Sequence, residues 1–369
     1  MNAVDTPASG IAERMVRPVV RAMPGYLPSK DGTVDLSRAL RLDMNESPYG
    51  PSPKTRAALA AFTDTHRYPD FAQHDLIAAL SDYAGVPTAQ IVAGAGLDDV
   101  FATLANLVID AGDEVLISEP TFGMYRPLFT LHGAAVIDVP LDADFHLDAD
   151  AILAAIGDRT KLVVICSPNN PTGNVLDPAS IERICREAAC LVAIDEAYAE
   201  FAGTSHVDLL ARYDNVLVLR TMSKWAGLAG MRVGYGLMPT SLVPYLGAVT
   251  PAFHNVGLAA SVAAVASLMD RDYLHGIVRR ISADRDALID QLREVPGVVP
   301  FPSSTNFVLM RLPVADGSAV VRRMAELGVL VRAFSHPRLR DTLRVSVGTP
   351  EENERFLTVL ESTLREAIA

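Results

Sequence analysis

Short, continuous apolar runs alternate with helix-length segments between residues 90 and 236, and this pattern constrains the fold more than any other feature. Continuous apolar strands are typically buried on both faces, and strands that alternate with helices pair mainly in parallel. The pattern predicts an α/β fold in which helices cover a mostly parallel seven-stranded sheet. The strands are expected at residues 91–93, 114–117, 134–139, 162–166, 191–194, 216–219 and 233–236.

The pattern changes beyond residue 258, where two long helical segments precede short strands and helices. Strands are predicted at 307–310, 329–331 and 343–346, and helices at 319–327 and 352–368. This arrangement predicts a smaller α+β C-terminal lobe that long helices join to the sheet. We expect an extended N-terminal arm within 1–40, a large ligand-binding domain at 41–270 and a small domain at 271–369 to which the N-terminal segment contributes.

Composition excludes several classes of partner. The net charge of −12 argues against nucleic acid and anionic membrane surfaces. No uninterrupted apolar stretch is long enough to cross a bilayer. The three cysteines (Cys166, Cys185 and Cys190) lack the spacing of a metal site and cannot all form disulfides, so we expect no metal and a cytoplasmic location.

Lys224 follows one of the predicted buried strands, which lies within the apolar run 215–220. It is one of only four lysines in the chain, and Thr221, Ser223 and Arg232 lie close to it in sequence. Two hydroxyls and a guanidinium are suitable ligands for a phosphate, and burial near a cation lowers the pKa of a lysine amine. The sequence therefore favours a reactive lysine beside a phosphate site, whereas the alternative is a solvated lysine that ends a strand.

Other predicted strands also end in polar or glycine-rich segments. Gly-Ala-Gly at 94–96 opens a predicted helix, which is typical of a phosphate cradle but also of a plain tight turn. Two prolines and a glycine at 167–173 form a rigid loop that can orient an asparagine amide. Asp195 ends a buried strand, either as a helix cap or as the partner of a buried cation. Ligands on such sheets bind beyond the carboxyl ends of the strands, where all these segments lie.

Two arginines are predicted on or beside strands of the C-terminal lobe. Arg344 lies within an apolar run, where a guanidinium is costly unless it meets an anion. Arg344 is therefore a candidate for binding a carboxylate. For Arg332 an ordinary surface position on an edge strand is an equally open alternative.

Four motifs occur in the order that is found in one enzyme family. They are Ser-Pro-Asn-Asn-Pro-Thr-Gly at 167–173, Asp-Glu-Ala-Tyr at 195–198, Ser-Lys at 223–224 with Arg232, and Leu-Arg-Val-Ser-Val-Gly at 343–348. With them the chain, from about residue 26 to the C-terminus, resembles the fold-type I aminotransferases that use pyridoxal phosphate (PLP). The histidinol-phosphate aminotransferase branch is the most similar.

The resemblance implies three catalytic residues. Lys224 would bind PLP covalently and later move the proton between the substrate carbon and the cofactor. Asp195 would keep the pyridine nitrogen protonated. Tyr198, together with Asn170, would hydrogen-bond the phenolic oxygen of the ring.

The resemblance also implies the remaining contacts. Phe122 would stack on the ring, and Gly96, Leu97, Asp98, Thr221, Ser223 and Arg232 would hold the phosphate. Tyr68 would reach the phosphate of a neighbouring subunit, so a homodimer is implied. The substrates are a small-molecule amino donor and a 2-oxo acid, and the residues implied to bind them are Tyr26, Asn45, Arg332 and Arg344.

The motifs leave the second substrate open. Ser47 stands where the histidinol-phosphate branch usually has asparagine, Trp225 follows the lysine, and the segment between Arg332 and Arg344 is slightly short. Transamination of histidinol phosphate with 2-oxoglutarate is the first hypothesis, and an aromatic amino-acid aminotransferase is the alternative. A PLP decarboxylase or C–S lyase is a further alternative. A PLP-binding regulator would need a DNA-binding module, for which the chain has no spare length, and a dehydrogenase would need G-x-G-x-x-G, which the turn at 94–96 lacks.

Overall fold

The computed structural model describes residues 10–23, 38–249 and 256–368. Its strands are β1 (Leu40–Arg41), β2 (Ile91–Gly94), β3 (Glu114–Ile117), β4 (Ala135–Asp138), β5 (Thr160–Cys166), β6 (Leu191–Asp195), β7 (Val216–Thr221), β8 (Gly234–Leu237), β9 (Val299–Pro300), β10 (Phe307–Arg311), β11 (Val329–Leu330) and β12 (Thr342–Ser346). Its helices are α1 (Ile11–Met15), α2 (Pro18–Ala22), α3 (Pro53–Ala60), α4 (His74–Ala84), α5 (Leu97–Val108), α6 (Tyr125–Leu131), α7 (Ala149–Ala155), α8 (Pro178–Glu187), α9 (Ala199–Ala202), α10 (Val243–Val249), α11 (Leu258–Leu268), α12 (Arg271–Arg293), α13 (Gly317–Glu326) and α14 (Pro350–Ile368).

The predicted mostly parallel sheet is confirmed. Within the described residues a seven-stranded sheet has the order β2-β8-β7-β6-β5-β3-β4, and only β8 runs antiparallel to its neighbours. In the parallel register Cys166 of β5 lies opposite Asp195 of β6, which in turn lies opposite Leu219 of β7. The carboxyl ends of three central strands therefore meet at one edge of the sheet.

The apolar residues of the central strands divide between the two faces of the sheet. In β5, Val163 and Ile165 join one buried cluster, whereas Leu162 and Val164 join another. Successive strand residues point to opposite faces, so this division shows that both faces are covered. It explains why these strands read as continuous apolar runs in the sequence.

The predicted α+β lobe is also confirmed. Strands β12, β10 and β9 form an antiparallel sheet, and β1 pairs in parallel with β11. Leu40 and Leu42 belong to the apolar cluster of this lobe, so the segment around β1 packs with it. Helix α12 joins the two parts, because Val278 packs in the core of the large sheet and Leu288 in that of the small lobe.

The expected extended N-terminal arm is wrong for residues 10–23, which contain the short helices α1 and α2. Pro18 begins α2 at a position where its missing N–H costs no intrahelical hydrogen bond. Arg17 Nη2 donates to the carbonyl of Leu131 at 2.5 Å, which fastens this segment to α6. Among the described helices, none has both the length and the apolar character needed to cross a membrane.

A buried ionic network lies beside β6 and β7. Glu196 accepts hydrogen bonds from Arg220 Nε at 3.0 Å and from the main-chain N–H of His206 at 2.6 Å. Burial opposes ionisation of Glu196, but the hydrogen bonds from His206 and the charge of Arg220 outweigh it and hold its pKa below the ordinary value. The ion pair is therefore intact at neutral pH.

Replacing Glu196 with glutamine should lower the free energy of unfolding by about 3–5 kcal/mol, because it leaves the Arg220 charge buried without its partner. Urea unfolding followed by circular dichroism measures the change. Asp290→Ala is the matched control, since it breaks an exposed pair with Arg293 and should cost less than about 1 kcal/mol. Equal effects of the two substitutions would contradict the assignment.

Candidate active site

The candidate site lies beyond the carboxyl ends of β5, β6 and β7. Asp195 is the last residue of β6, Thr221 is the last residue of β7, and Asn170 lies in the loop after β5. Because these strands are parallel neighbours, residues far apart in sequence come to the same edge. Arg344, on β12 of the small lobe, reaches this edge and donates to Asn170 Oδ1 at 2.6 Å.

The Lys224 side chain is partly buried, and its amine is hydrogen-bonded to a main-chain carbonyl. Its Nζ donates to the carbonyl of Met44 at 2.9 Å. Burial, and then the charge of Arg344, lower the pKa of Lys224 to about 8, with Arg232 acting in the same direction. An amine with this pKa is neutral far more often near pH 7 than an ordinary lysine, as a nucleophile must be.

The segment predicted to hold a phosphate lies at the N-terminus of α5. Gly96 precedes the helix with φ of +96°, a left-handed value that favours glycine. The Arg232 guanidinium lies so close that a Cβ on Gly96 would clash with its Nη2. Arg232 Nη2 also lies 3.4 Å from Asp98 Oδ2. Gly96, Leu97, Asp98 and Arg232 are thus brought together around the N–H groups of a helix N-terminus.

Thr221 and Ser223 supply two buried hydroxyls at the end of β7. Thr221 Oγ1 donates to Ser223 Oγ at 3.0 Å, and the main-chain N–H of Ser223 donates back to Thr221 Oγ1 at 3.1 Å. The turn that follows Lys224 packs tightly, since a Cβ on Gly227 would lie 2.5 Å from the carbonyl oxygen of Gly50. This close contact fixes the loop that carries Lys224 against the segment that follows Met44.

Asp195 is 3% exposed and each of its carboxylate oxygens has a protein donor. Tyr125 donates to Oδ2 at 2.5 Å, and the main-chain N–H of Ala197 donates to Oδ1 at 2.9 Å. Burial raises the pKa of Asp195 to about 6, although both hydrogen bonds oppose the shift. A carboxylate that is this costly to ionise gains from a cationic partner such as a protonated pyridine nitrogen.

Phe122 is partly buried beside Tyr125. The two rings meet edge to face with centroids 5.5 Å apart. Phe122 is therefore connected through Tyr125 to Asp195, as expected for an aromatic residue of the same site.

The hydroxyl of Tyr198 accepts a hydrogen bond from Asn45 Nδ2 at 2.9 Å. Its ring packs edge to face on Phe307 at 5.2 Å. Burial raises the pKa of Tyr198 above its ordinary value even though Arg344 and Asn45 lower it. Tyr198 therefore keeps its proton at neutral pH and can donate it.

Arg332 and Arg344 form a cross-strand pair. The main chains of the two residues exchange both hydrogen bonds, at 3.0 Å and 2.8 Å, so their side chains lie on the same face. Arg344 is 7% exposed and also donates to the carbonyl of Asp43 at 2.7 Å. Opposite positions on paired strands thus bring two cationic side chains to one face, close to Asn170.

Tyr68, which the sequence predicts to reach a neighbouring subunit, lies on the surface of the single chain. Tyr68 is 77% exposed in the single chain, on the loop between α3 and α4. Tyr26 lies outside the described residues. The sequence did not single out Tyr125 or the carbonyl of Met44. Their roles depend on contacts across the fold, for which local sequence gives no signal.

Taken together, the site offers a lysine amine of lowered pKa, a helix N-terminus beside an arginine, a buried carboxylate and two arginines on paired strands. Residues 37–360 match the family described as aminotransferase class I and II. The histidinol-phosphate aminotransferase of Roseiflexus castenholzii is 41% identical over 363 residues, which cover 94% of this chain and 97% of that protein. That of Methanocaldococcus jannaschii is 36% identical over 368 residues, covering 95% and 98%.

A solved structure shares the fold as well. The crystal structure of histidinol-phosphate aminotransferase from Sinorhizobium meliloti in complex with pyridoxal-5'-phosphate has a TM-score of 0.86 and 28% sequence identity, and the match covers 95% of this chain and 97% of that one. The order of elements therefore agrees with the resemblance drawn from the four motifs.

The raised pKa of Asp195 predicts a pH-dependent stability difference. The Asp195 carboxyl holds its proton more tightly in the folded, ligand-free protein than in the unfolded chain. Its contribution to the free energy of unfolding is therefore fully present below about pH 4 and is lost as pH rises through about 6. An asparagine at position 195 does not titrate, so the Asp195→Asn variant does not lose this stability as pH rises. Relative to the parent, this variant should gain about 3 kcal/mol between about pH 4 and pH 7, measured by urea unfolding. A difference that does not change with pH would contradict the assignment.

Proposed function

The chain belongs to the class I and II aminotransferases, and we propose that it transfers an amino group between histidinol phosphate and 2-oxoglutarate with PLP as cofactor. The observation that carries the proposal is the position of Lys224 between two cationic regions. Arg232 of the phosphate cradle and Arg344 of the arginine pair both lower its pKa. One amine is thus within reach of a phosphate-bearing cofactor and an anionic substrate.

The residues present fit PLP. Gly96 leaves room for the Arg232 guanidinium at a helix N-terminus, which suits the cofactor phosphate. The buried carboxylate of Asp195 suits a protonated pyridine nitrogen, and the partly accessible amine of Lys224 suits covalent attachment of an aldehyde. Thr221 and Ser223 would add hydroxyl donors to the phosphate, and Phe122 would lie against the ring.

When bound, PLP withdraws electrons from the substrate carbon beside the transferred nitrogen. Lys224 Nζ would accept the proton from that carbon, and the carbonyl of Met44 would give the released amine a fixed acceptor. Asp195 would hold the proton on the pyridine nitrogen. Arg344 donates to Asn170 Oδ1, so the amide N–H groups of Asn170 would be available to the ring oxygen.

The two arginines account for the choice of substrates. Arg344 binds the carboxylate of glutamate or 2-oxoglutarate, and Arg332 binds the phosphate of histidinol phosphate. Tyr26 is the remaining proposed substrate contact. The aromatic alternative has no comparable support, because the relatives that match most of the chain are histidinol-phosphate aminotransferases.

The proposal includes a homodimer located in the cytoplasm. Tyr68 and Phe71 are 77% and 61% exposed on one loop, as expected for aromatic residues that contact a second copy. In the dimer Tyr68 reaches the cofactor phosphate of the neighbouring subunit. The three cysteines are free and buried, which supports a reducing compartment.

An absorbance experiment tests the reaction. The purified protein reconstituted with PLP should gain a visible band, which glutamate should bleach. Imidazole acetol phosphate, the oxo counterpart of histidinol phosphate, should restore it, because it accepts the amino group. Recovery with phenylpyruvate instead would favour an aromatic substrate, and a band that glutamate does not change would point to a decarboxylase or lyase.

Replacing Lys224 with alanine should abolish the covalently bound cofactor band and transamination, because no other proposed group can form that bond. Mass spectrometry after borohydride reduction should find PLP attached to the parent but not to the variant. Lys54→Ala, which removes an exposed amine on α3, is the control and should behave as the parent. Reduction that still traps PLP in Lys224→Ala would overturn the lysine assignment.

Arg332→Ala should raise the KM for histidinol phosphate about tenfold to a hundredfold, the effect of losing one charge-assisted contact to phosphate. The KM for glutamate should change much less. Arg340→Ala removes an exposed arginine of the same lobe and should change neither value. Equal increases for both substrates would show that Arg332 does not select the phosphate.

A further inference from the structure

Asn45 lies where the segment after β1 passes between the two lobes, and it contacts several polar groups of the site. Its main-chain N–H donates to Ser346 Oγ at 2.8 Å, and its carbonyl accepts from Asn306 Nδ2 at 3.0 Å. Its side chain donates to the Tyr198 hydroxyl and accepts from Ser346 Oγ at 3.3 Å. Both ends of the amide are therefore engaged by protein groups.

These contacts determine how the amide is oriented. Ser346 Oγ already accepts a hydrogen bond from the main chain of Asn45, so its own proton is available for Asn45 Oδ1. The opposite end of the amide, Nδ2, then faces Tyr198. Because the phenol oxygen accepts from Asn45, its single proton must be donated to another acceptor.

We propose that Asn45 is a positioning residue that fixes the Tyr198 hydroxyl as a hydrogen-bond donor to the ring oxygen of bound PLP. This inference rests on the proposed function, because it requires PLP in the site. It replaces direct substrate contact as the role of the Asn45 side chain. Tyr198 remains the group that contacts the cofactor, and Asn45 acts through it.

The backbone of Asn45 gives it a second positioning role. Its φ of +53° is left-handed, a conformation that asparagine tolerates better than most residues. The turn directs the preceding carbonyl, that of Met44, to Lys224 Nζ. One residue thus orients both the hydroxyl of Tyr198 and the acceptor of the Lys224 amine.

The substitutions at position 45 leave the other charged and titratable residues around Tyr198 and Lys224 in the sequence. Arg344, Cys166 and Asp195 face Tyr198. Lys224 is faced by Arg344, Glu46, Arg232 and Asp98. A change in the titration of the bound cofactor can therefore be assigned to position 45.

The test is a pH titration of the visible band in the PLP-loaded parent, Asn45→Asp, Tyr198→Phe and the double variant. Aspartate would accept the Tyr198 proton and take the donor away from the ring oxygen. Loss of one hydrogen bond to a charged oxygen should raise the midpoint by about one pH unit or more. When Tyr198→Phe has already removed the hydroxyl, the same substitution should give a clearly smaller shift, which reflects only the added charge.

Asn45→Gly separates the side chain from the turn, because glycine also adopts positive φ. When Tyr198 is present, Asn45→Gly should raise the pH midpoint of the visible band less than Asn45→Asp does. When Asn45→Gly is combined with Tyr198→Phe, the midpoint should equal that of Tyr198→Phe alone. Equal shifts with and without the Tyr198 hydroxyl, or no shift in either variant, would overturn the positioning role. A parent protein that gains no visible band with PLP would instead refute the proposed function, and this inference with it.

Discussion

The parallel register of β5, β6 and β7 is the constraint on which the site depends. Cys166, Asp195 and Leu219 lie side by side in adjacent strands, so β5 and β6 end at the same level and β7 extends beyond them to Thr221. A shift by one residue would turn Asp195 to the other face and move the apolar side chains of the strand out of the buried clusters that they now join. The two buried clusters that cover the sheet therefore fix the position of the candidate carboxylate as well as the stability of the fold.

The segment 42–46 connects this edge of the large sheet with the small lobe. The carbonyl of Leu42 accepts from Ser346, that of Asp43 from Arg344, and that of Met44 from Lys224. Three successive carbonyls thus connect the small lobe, the arginine proposed to bind anions and the candidate lysine. This arrangement explains why short β1 pairs with β11 in the C-terminal lobe although it precedes the whole large sheet.

Sequence reasoning predicted the strands of the large sheet well because their burial on both faces gives continuous apolar runs. It also located Lys224, Asp195 and Arg344, since each is a charged group within or directly after an apolar strand. It did not predict β1 and β9, which have two residues each, or the helices within residues 10–23. Such short elements depend on tertiary contacts more than on local propensity.

The hydrogen bonds within the site were harder to predict from the sequence than the residues that form it. Tyr125 lies 70 residues before Asp195, and Asn45 lies 153 residues before Tyr198. Neither pair follows from periodicity or composition, because the chain must first fold into its sheet and lobe. The resemblance to a family supplied roles for Asp195 and Tyr198, whereas the hydrogen bonds that orient them required the structure.

The electrostatics of the site connect binding with stability. Burial moves the pKa of Asp195 up to about 6 and that of Lys224 down to about 8, so both groups are closer to losing their charge near neutral pH. Arg332 and Arg344 stand opposite each other, and Arg232 lies against Gly96 at a positive helix end. A ligand with one cationic nitrogen and an anionic phosphate, followed by an anionic substrate, would bring opposite charges to Asp195, Arg232 and the two arginines of the small lobe. Because a ligand that binds only the folded state stabilises it, the same electrostatics that select PLP would also make the protein more stable when it is bound.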